Sequence, residues 1–202
     1  APDVADDQGT TMRITTPIET DPVTGVTYET GVLGPGAQYE IWVPWTEVPP
    51  VAPMVPWNRC LVIYAHGYAN PLQPVALTED WESMLPVLLG NGYAVAHSSY
   101  SENGWAVKDG AIRTRQLRGY FADAYGAPAK VYLVGASEGA MISIMLAEKN
   151  PDLFSGALCI GGPLGGAEME VKYIYNVRIL FDYFFRNELG VVAGLVENPP
   201  LD

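Results

Sequence analysis

A five-residue motif in the second half of this sequence places a serine between two glycines. Residues Gly135-Ala136-Ser137-Glu138-Gly139 match the pattern G-x-S-x-G, directly after an apolar run at 131–134 and directly before an apolar helical pattern. The glycines allow a tight turn from strand to helix in which the Ser137 hydroxyl is exposed. The positive end of the following helix stabilises negative charge that develops nearby. We therefore predict that Ser137 is a catalytic nucleophile, with Gly135 and Gly139 supporting the turn.

A second glycine motif, His66-Gly67-Tyr68, ends the apolar run at 61–65. Loops that follow parallel strands gather around a ligand at the carboxyl edge of the sheet. The backbone N–H groups of Tyr68 and Glu138 are therefore predicted to form an oxyanion hole, with Gly67 supporting the loop. His66 has two interpretations: it braces the loop by hydrogen bonds, or it acts as a base. Bracing is the interpretation we favour.

The segments around these motifs alternate between strand and helix patterns. Short apolar runs typical of buried parallel strands lie at 61–65, 93–96, 131–134 and 157–160. Helical spacing of apolar residues predicts helices at 78–89, 107–125 and 138–149, the first of them kinked or split by Pro86. This alternation predicts an α/β fold, with a mostly parallel sheet that carries helices on both faces.

Composition divides the chain into three parts. Residues 1–35 are rich in Thr, Asp, Gly and Pro, and we predict an N-terminal extension with edge strands. The core is predicted to span 36–165. The last part, 166–202, contains an aromatic helical stripe that needs a partner surface. Two interpretations of it stay open, a lid or cap over the active site and a helix packed on the sheet.

The order of these motifs resembles the α/β-hydrolase superfamily, since a strand ending in His66-Gly67 precedes the elbow at Ser137 by about seventy residues. The resemblance covers roughly 36–165. Three further segments resemble secreted bacterial esterases related to the feruloyl-esterase, tannase and hydroxybutyrate-oligomer hydrolase groups: Ser98-Ser99-Tyr100-Ser101, Asn103-Gly104-Trp105 and Asp109 to Leu117. The resemblance implies a serine esterase that cleaves carboxylic esters through an acyl-enzyme, with an acid and then a histidine following the nucleophile.

The sequence departs from this pattern in its histidines. His66 and His97 both precede Ser137, and no histidine occurs from 138 to 202. A serine hydroxyl without a base is a poor nucleophile near neutral pH. We therefore expect the fold to be incomplete in this chain, with the histidine and the acid supplied outside these 202 residues. The rest of the fold would be either a second polypeptide, separated by cleavage in a lid region, or simply absent.

Three other hypotheses stay open. His97 ends the apolar run at 93–96 and could serve as an unorthodox base for Ser137. The chain could instead be a catalytically inactive hydrolase fold used for binding. A serine peptidase of the prolyl-oligopeptidase type shares the elbow and would cleave amides.

Aromatic residues in the loops predict an apolar pocket for a small ester substrate. Tyr100 and Trp105 follow the strand at 93–96, on the side of the sheet where the reactive loops gather. The sequence has no metal-ligand spacing and no phosphate-binding glycine loop, so the predicted reaction needs no cofactor.

Charge and composition exclude several partners. The net charge of −12 argues against nucleic acid, and no apolar run approaches the roughly 20 residues that span a bilayer. The polar stretch that begins at Ala1 is typical of a processed chain, which predicts a secreted protein, extracellular or periplasmic. Cys60 and Cys159 are expected to be buried thiols, because another predicted strand lies between them.

Overall fold

A mixed β-sheet organises the first of two compact units, Ala1–Gly162 and Pro163–Asp202. The computed structural model describes residues 13–15, 19–21, 25–44 and 55–185. Within these residues the sheet has eight strands: β1 Arg13–Thr15, β2 Glu19–Thr20, β3 Thr27–Leu33, β4 Ala37–Val43, β5 Cys60–Ala65, β6 Ala94–Ser98, β7 Lys130–Ala136 and β8 Gly156–Ile160. Seven of them follow the order β1-β3-β4-β6-β5-β7-β8, and β2 pairs with β3.

The sheet is antiparallel at its N-terminal side and parallel where the predicted site lies. β3 and β4 form a hairpin, and β4 pairs antiparallel with β6. Strands β6, β5, β7 and β8 are parallel neighbours, so their carboxyl ends lie along one edge. The predicted α/β fold class is therefore confirmed.

Three helices connect the parallel strands. They are α1 Leu85–Gly90, α2 Val107–Tyr125 and α3 Glu138–Lys149. A short 3₁₀-helix, Glu82–Met84, precedes α1. The helix predicted at 78–89 is corrected at its start, because residues 78–81 are not helical. Pro86 lies in the first turn of α1, where a missing N–H leaves no hydrogen bond unmade.

The period-two pattern of β5 divides its side chains between two cores. Leu61 and Ile63 pack on one face of the sheet, in a cluster that includes residues of α2 and α3. Val62 and Tyr64 pack on the other face, with Trp81 and the α1 residue Leu89 among their neighbours. Both faces of β5 are therefore covered, which is why the sequence of this strand is apolar without alternation.

The second unit contains one described helix, α4 Ala167–Phe185. It carries many exposed apolar side chains, while Asp182 is buried and lies 3.7 Å from Arg178 Nη2. A lid and a helix packed on the sheet both stay predictions for this part. None of the helices among the described residues is long and apolar enough to cross a membrane.

Both cysteines are free thiols, as expected from the strand order. Cys60 lies opposite Lys130 and Cys159 lies opposite Gly135, so β7 separates the two residues. The expectation that these thiols are buried is corrected, because each is partly exposed. Cys60 is at the start of β5, and β8 is the outermost strand of the sheet.

Candidate active site

Ser137 occupies a strained turn between β7 and α3. Its backbone has φ 52° and ψ −120°, a combination that L-residues rarely adopt, and its side chain is exposed. The N–H of Ser137 donates to the carbonyl of Ile160 at 2.9 Å, while the Ser137 carbonyl accepts from Ala140 N–H at 3.1 Å. These bonds hold the turn in place at the carboxyl edge of the sheet.

The two glycines of the motif are sterically required. A Cβ on Gly135 would lie 2.1 Å from the Gly139 carbonyl oxygen, and a Cβ on Gly139 would lie 1.9 Å from the carbonyl oxygen of Ala65. Both distances are far below a van der Waals contact with rigid backbone. The α3 helix can therefore approach β5 and β7 closely only if both positions lack a side chain.

The loop after β5 lies directly beside Ser137. Ala65 pairs with Gly135 in the parallel ladder, so the residues that follow leave the sheet side by side. A Cβ on Gly67 would lie 3.2 Å from Ser137 Cβ and 3.8 Å from its Oγ. Tyr68 follows with 58% of its surface exposed. The structure thus brings the two predicted motifs together at one edge of the sheet.

His66 is buried under this loop and holds it in place. Its Nδ1 donates to the Gly67 carbonyl at 2.7 Å, and its ring stacks on Tyr100 with centroids 3.9 Å apart. Burial lowers the pKa of His66 below its ordinary value, so the ring is neutral near pH 7. These contacts suit the bracing interpretation of this histidine.

Tyr100 does not fit the predicted position in a substrate pocket. It is 1% exposed, and its hydroxyl donates to the His66 carbonyl at 3.1 Å. A Cβ on Gly110 of α2 would lie 3.0 Å from its ring, so the tyrosine fills the space between the helix and the loop. Tyr100 therefore packs against the loop after β5 and stabilises it.

The loop after β6 is tied to the loop after β5. Gly104 N–H donates to the Ala69 carbonyl at 2.8 Å, and the Asn103 side chain donates to the carbonyls of Gln73 and Asn70. Asn103 and Gly104 therefore hold the loop after β6 against the loop after β5. The two loops form one connected surface near Ser137.

Asp109 fixes the other end of the loop after β6. Its carboxylate accepts from Ser101 N–H and Ser101 Oγ, both at 2.7 Å, and from Arg113 Nε at 3.0 Å. Arg113 and the first turn of α2 are thereby joined to the loop.

Trp105 lies at the surface, 47% exposed, between this loop and α2. It lines a cavity of about 600 Å³ together with residues of α2 and α3, among them Ile112 and Met145. Ser137 is not among the residues that line this cavity. The predicted contact of Trp105 with an ester at Ser137 stays a prediction.

His97 is held inside the sheet, away from Ser137. Its ring is fully buried, and its Nδ1 lies 3.1 Å from both Glu40 Oε1 and Trp81 Nε1. Strand β5 lies between β6 and β7, and two strand spacings amount to about 9.5 Å. A general base must lie within about 3 Å of the hydroxyl or one water away, so the described geometry disfavours His97 as the base.

The side chain of Glu138 is a feature that the sequence analysis missed. The motif assigned a role only to its backbone N–H, but its carboxyl is also buried, with 1% of the residue exposed. Burial raises the pKa of Glu138 to about 7. The signal in the sequence is an acidic residue at the first position of an otherwise apolar helix that must pack closely on α2.

Comparison with solved structures identifies the fold. The chain is similar to the acetyl xylan esterase from Paenibacillus sp. R4, with a TM-score of 0.53 and 14% identity, over 77% of this chain and 55% of that one. It is also similar to acetyl xylan esterase 1 from Thermoanaerobacterium sp. JW/SL YS485, with a TM-score of 0.51 and 15% identity, over 89% and 62% of the chains. Both of these solved structures are esterases, and the likeness shows that this chain shares their fold.

Sequence comparison adds a relative and a family. The chain is 26% identical over 199 residues to NocK, a candidate esterase of Nocardia uniformis subsp. tsuyamanensis, covering 91% of this chain and 56% of the relative. The chain thus spans about half the length of this curated relative. A family model matches residues 3–190, nearly the whole chain. The chain belongs to the tannase-like family of unknown function (DUF6351).

Proposed function

We propose that this chain carries the nucleophile of a carboxylic ester hydrolase, and that Ser137 is that nucleophile. The observation that supports this best is the turn at Ser137. Its exposed hydroxyl lies on a strained backbone, between two glycines that admit no Cβ and beside Gly67 of the neighbouring loop. A turn of this kind is costly to form, by about 1–3 kcal/mol, and it is typical of serine hydrolases.

In the proposed reaction, Ser137 Oγ attacks the ester carbonyl carbon and gives up its proton to a base. The carbonyl oxygen becomes negative in the tetrahedral intermediate, where the N–H groups of Tyr68 and Glu138 stabilise it. The C–O bond to the alcohol then breaks as the protonated base gives its proton to the leaving oxygen, and the acyl-enzyme that forms is hydrolysed by water to the acid and free Ser137. The N-terminus of α3 favours the same negative charge, since Ser137 immediately precedes this helix.

The general base and its acid are proposed to come from outside these 202 residues, on a second polypeptide or a further part of the protein. Both histidines of the chain precede Ser137, and the chain covers 56% of NocK. Strand β8 also supports this proposal. Within the described residues it pairs only with β7, while its apolar residues Leu158 and Ile160 are 56% and 47% exposed. A parallel strand with these residues is normally covered on both faces.

Denaturing mass spectrometry of the purified, natively folded protein tests this proposal. A second polypeptide that contains a histidine after an apolar strand, or a longer single chain, is the expected result. A folded and active chain of these 202 residues alone would contradict it.

Replacement of the nucleophile tests the central proposal. We expect Ser137→Ala in the full-length protein to lower kcat/KM on p-nitrophenyl acetate by a factor on the order of a thousand or more. A fluorophosphonate probe should label the unchanged protein at Ser137 and leave the variant unlabelled. Turnover that survives the replacement would overturn the proposal.

The same assays separate the remaining hypotheses. Cleavage of a prolyl amide faster than the matching ester would favour a peptidase. A folded full-length protein that neither turns over esters nor reacts with the probe would favour an inactive binding fold. Secretion also stays a prediction, which fractionation of the producing cells would test.

A further inference from the structure

The carboxyl of Glu138 is buried next to the proposed nucleophile and lacks a charged partner. Both of its oxygens are inaccessible to solvent and have no well-formed hydrogen bond among the described residues. The backbone N–H of Ala106 favours the ionised form of the carboxyl, but it does not form a hydrogen bond of good geometry with it. Buried carboxylates are normally paired, because an unpaired charge in a low-dielectric interior is costly. An orphaned carboxyl of this kind is most stable when it keeps its proton.

No cation among the described residues forms an ion pair with Glu138. Tyr100, from the loop after β6, is close enough for the charge of Glu138 to raise the tyrosine's pKa, but its hydroxyl donates to His66. His66, from the end of β5, is neutral near pH 7, since burial lowers its pKa. Asp109 of α2, whose negative charge also raises the pKa of Tyr100, is paired with Arg113. The N-terminus of α3 favours ionisation, but burial outweighs it and raises the pKa of Glu138 to about 7.

Ionisation of this carboxyl places a negative charge next to the residue that reacts. Glu138 directly follows Ser137, and its own N–H is a proposed donor to the oxyanion. We propose that Glu138 works as a neutral carboxyl, and that its ionisation slows acylation of Ser137 and sets the alkaline limit of turnover. The inference rests on the function proposed above. A negative charge beside a second developing negative charge raises the barrier of the step in which that charge forms.

The experiment compares Glu138 with Glu148, a second glutamate of α3 that serves as its control. Glu148 is exposed and lies at the far end of the same helix. The rate constant kcat/KM for p-nitrophenyl acetate is measured with the full-length protein at about pH 6 and about pH 8.5, on either side of the pKa. We expect Glu138→Gln to raise the ratio of the alkaline to the acidic value about tenfold over the unchanged protein, and Glu148→Gln to leave it unchanged.

Infrared spectroscopy gives a readout that does not depend on turnover. The C=O band of a buried neutral carboxyl should disappear as the pH rises through about 7 in the Ser137→Ala protein, and should be absent from the Ser137→Ala/Glu138→Gln protein. Glu138→Met serves in the same assays if the glutamine variant does not fold. A band that persists at high pH, or a ratio that neither neutral variant changes, would overturn the inference while ester hydrolysis stands. A protein inactive at every pH would instead contradict the proposed function itself.

Discussion

At the scale of single residues, the elbow combines a strained serine with glycines that have no room for a side chain. Ser137 has a positive φ, and the strain is held by backbone hydrogen bonds to Ile160 and Ala140. Gly139 is where the closest approach occurs, because α3 crosses over the end of β5 there. Backbone cannot shift in the way that a flexible side chain can.

Gly139→Ala should therefore be severely destabilising. Its Cβ would lie 1.9 Å from the Ala65 carbonyl oxygen. We expect a loss of more than about 3 kcal/mol in the free energy of unfolding, together with loss of fluorophosphonate labelling. Gly90→Ala is the matched control, since no atom lies within 4 Å of its added Cβ. That variant should be as stable as the unchanged protein or gain up to about 1 kcal/mol. Urea unfolding of the three proteins decides the prediction, and equal losses at both positions would contradict it.

The buried Glu138 predicts a pH dependence of stability. The unfolded chain ionises this group near its ordinary value of 4.5, whereas the folded protein keeps the proton until about pH 7. The folded state thus binds more protons in this window. Its stabilisation is complete below pH 4.5 and is lost as the pH rises through about 7.

Glu138→Gln should remove the part of the pH dependence of stability that comes from the Glu138 carboxyl. Relative to the variant, the unchanged protein should lose on the order of 3 kcal/mol or less between about pH 4.5 and pH 7. Thermal unfolding at several pH values measures the difference, with Glu148→Gln as the control. Parallel stability curves for the unchanged protein and Glu138→Gln would show that the group does not titrate as expected.

At the scale of elements, a buried carboxylate joins β3, β4 and α2. Glu29 is 1% exposed, and it accepts hydrogen bonds from the hydroxyls of Tyr39, Tyr120 and Tyr125. Tyr39 lies on β4, and the other two tyrosines lie on the C-terminal half of α2. The carboxylate thereby holds the end of α2 against the antiparallel side of the sheet.

Tyr120→Phe should lower the free energy of unfolding by about 1–3 kcal/mol, because it leaves a buried carboxylate with one donor fewer. Glu29→Gln should have at least as large an effect, since an amide offers one acceptor oxygen to three tyrosine hydroxyls that now bind both carboxylate oxygens. Tyr93→Phe is the control, because Tyr93 is only partly buried and its hydroxyl forms no hydrogen bond within the described residues. Chemical denaturation at one pH compares the variants, and a Tyr120→Phe protein as stable as the control would contradict this role.

At the scale of the whole molecule, β8 lies at one edge of the described sheet and exposes apolar side chains. β8 follows α3 and supplies the Ile160 carbonyl that binds Ser137 N–H, so this strand also contributes to the elbow. Its exposed apolar residues support the proposal that a part of the protein outside these 202 residues covers this strand.

Leu158→Lys should therefore prevent completion of the fold. We expect esterase turnover of the full-length protein to fall at least tenfold, because a charge at a covered strand position is poorly tolerated. Val87→Lys, on the exposed side of α1 and 65% exposed before substitution, should keep full turnover. The experiment measures turnover and circular dichroism of both variants. Equal activity of the two would argue that β8 has no covering partner.

The sequence by itself determined the class of fold and the position of the elbow. Apolar runs followed by Gly-rich turns predicted the four parallel strands, because burial on both faces removes polar residues from such strands. The G-x-S-x-G pattern located the turn at Ser137, since the residues that permit this backbone are contiguous in the chain. These features depend on local spacing, and local spacing is visible in a sequence.

Only the tertiary structure decided how distant residues meet. Tyr100 binds the carbonyl of His66, and His97 lies in a buried cluster with Glu40. Both contacts depend on which strands are neighbours in the sheet, and the sequence does not show this order. The same holds for Glu138, whose carboxyl is buried by packing against residues far away in sequence. Burial is a property of the assembled core. A carboxyl followed by an apolar helix therefore reveals its raised pKa only once the opposing surface is in place.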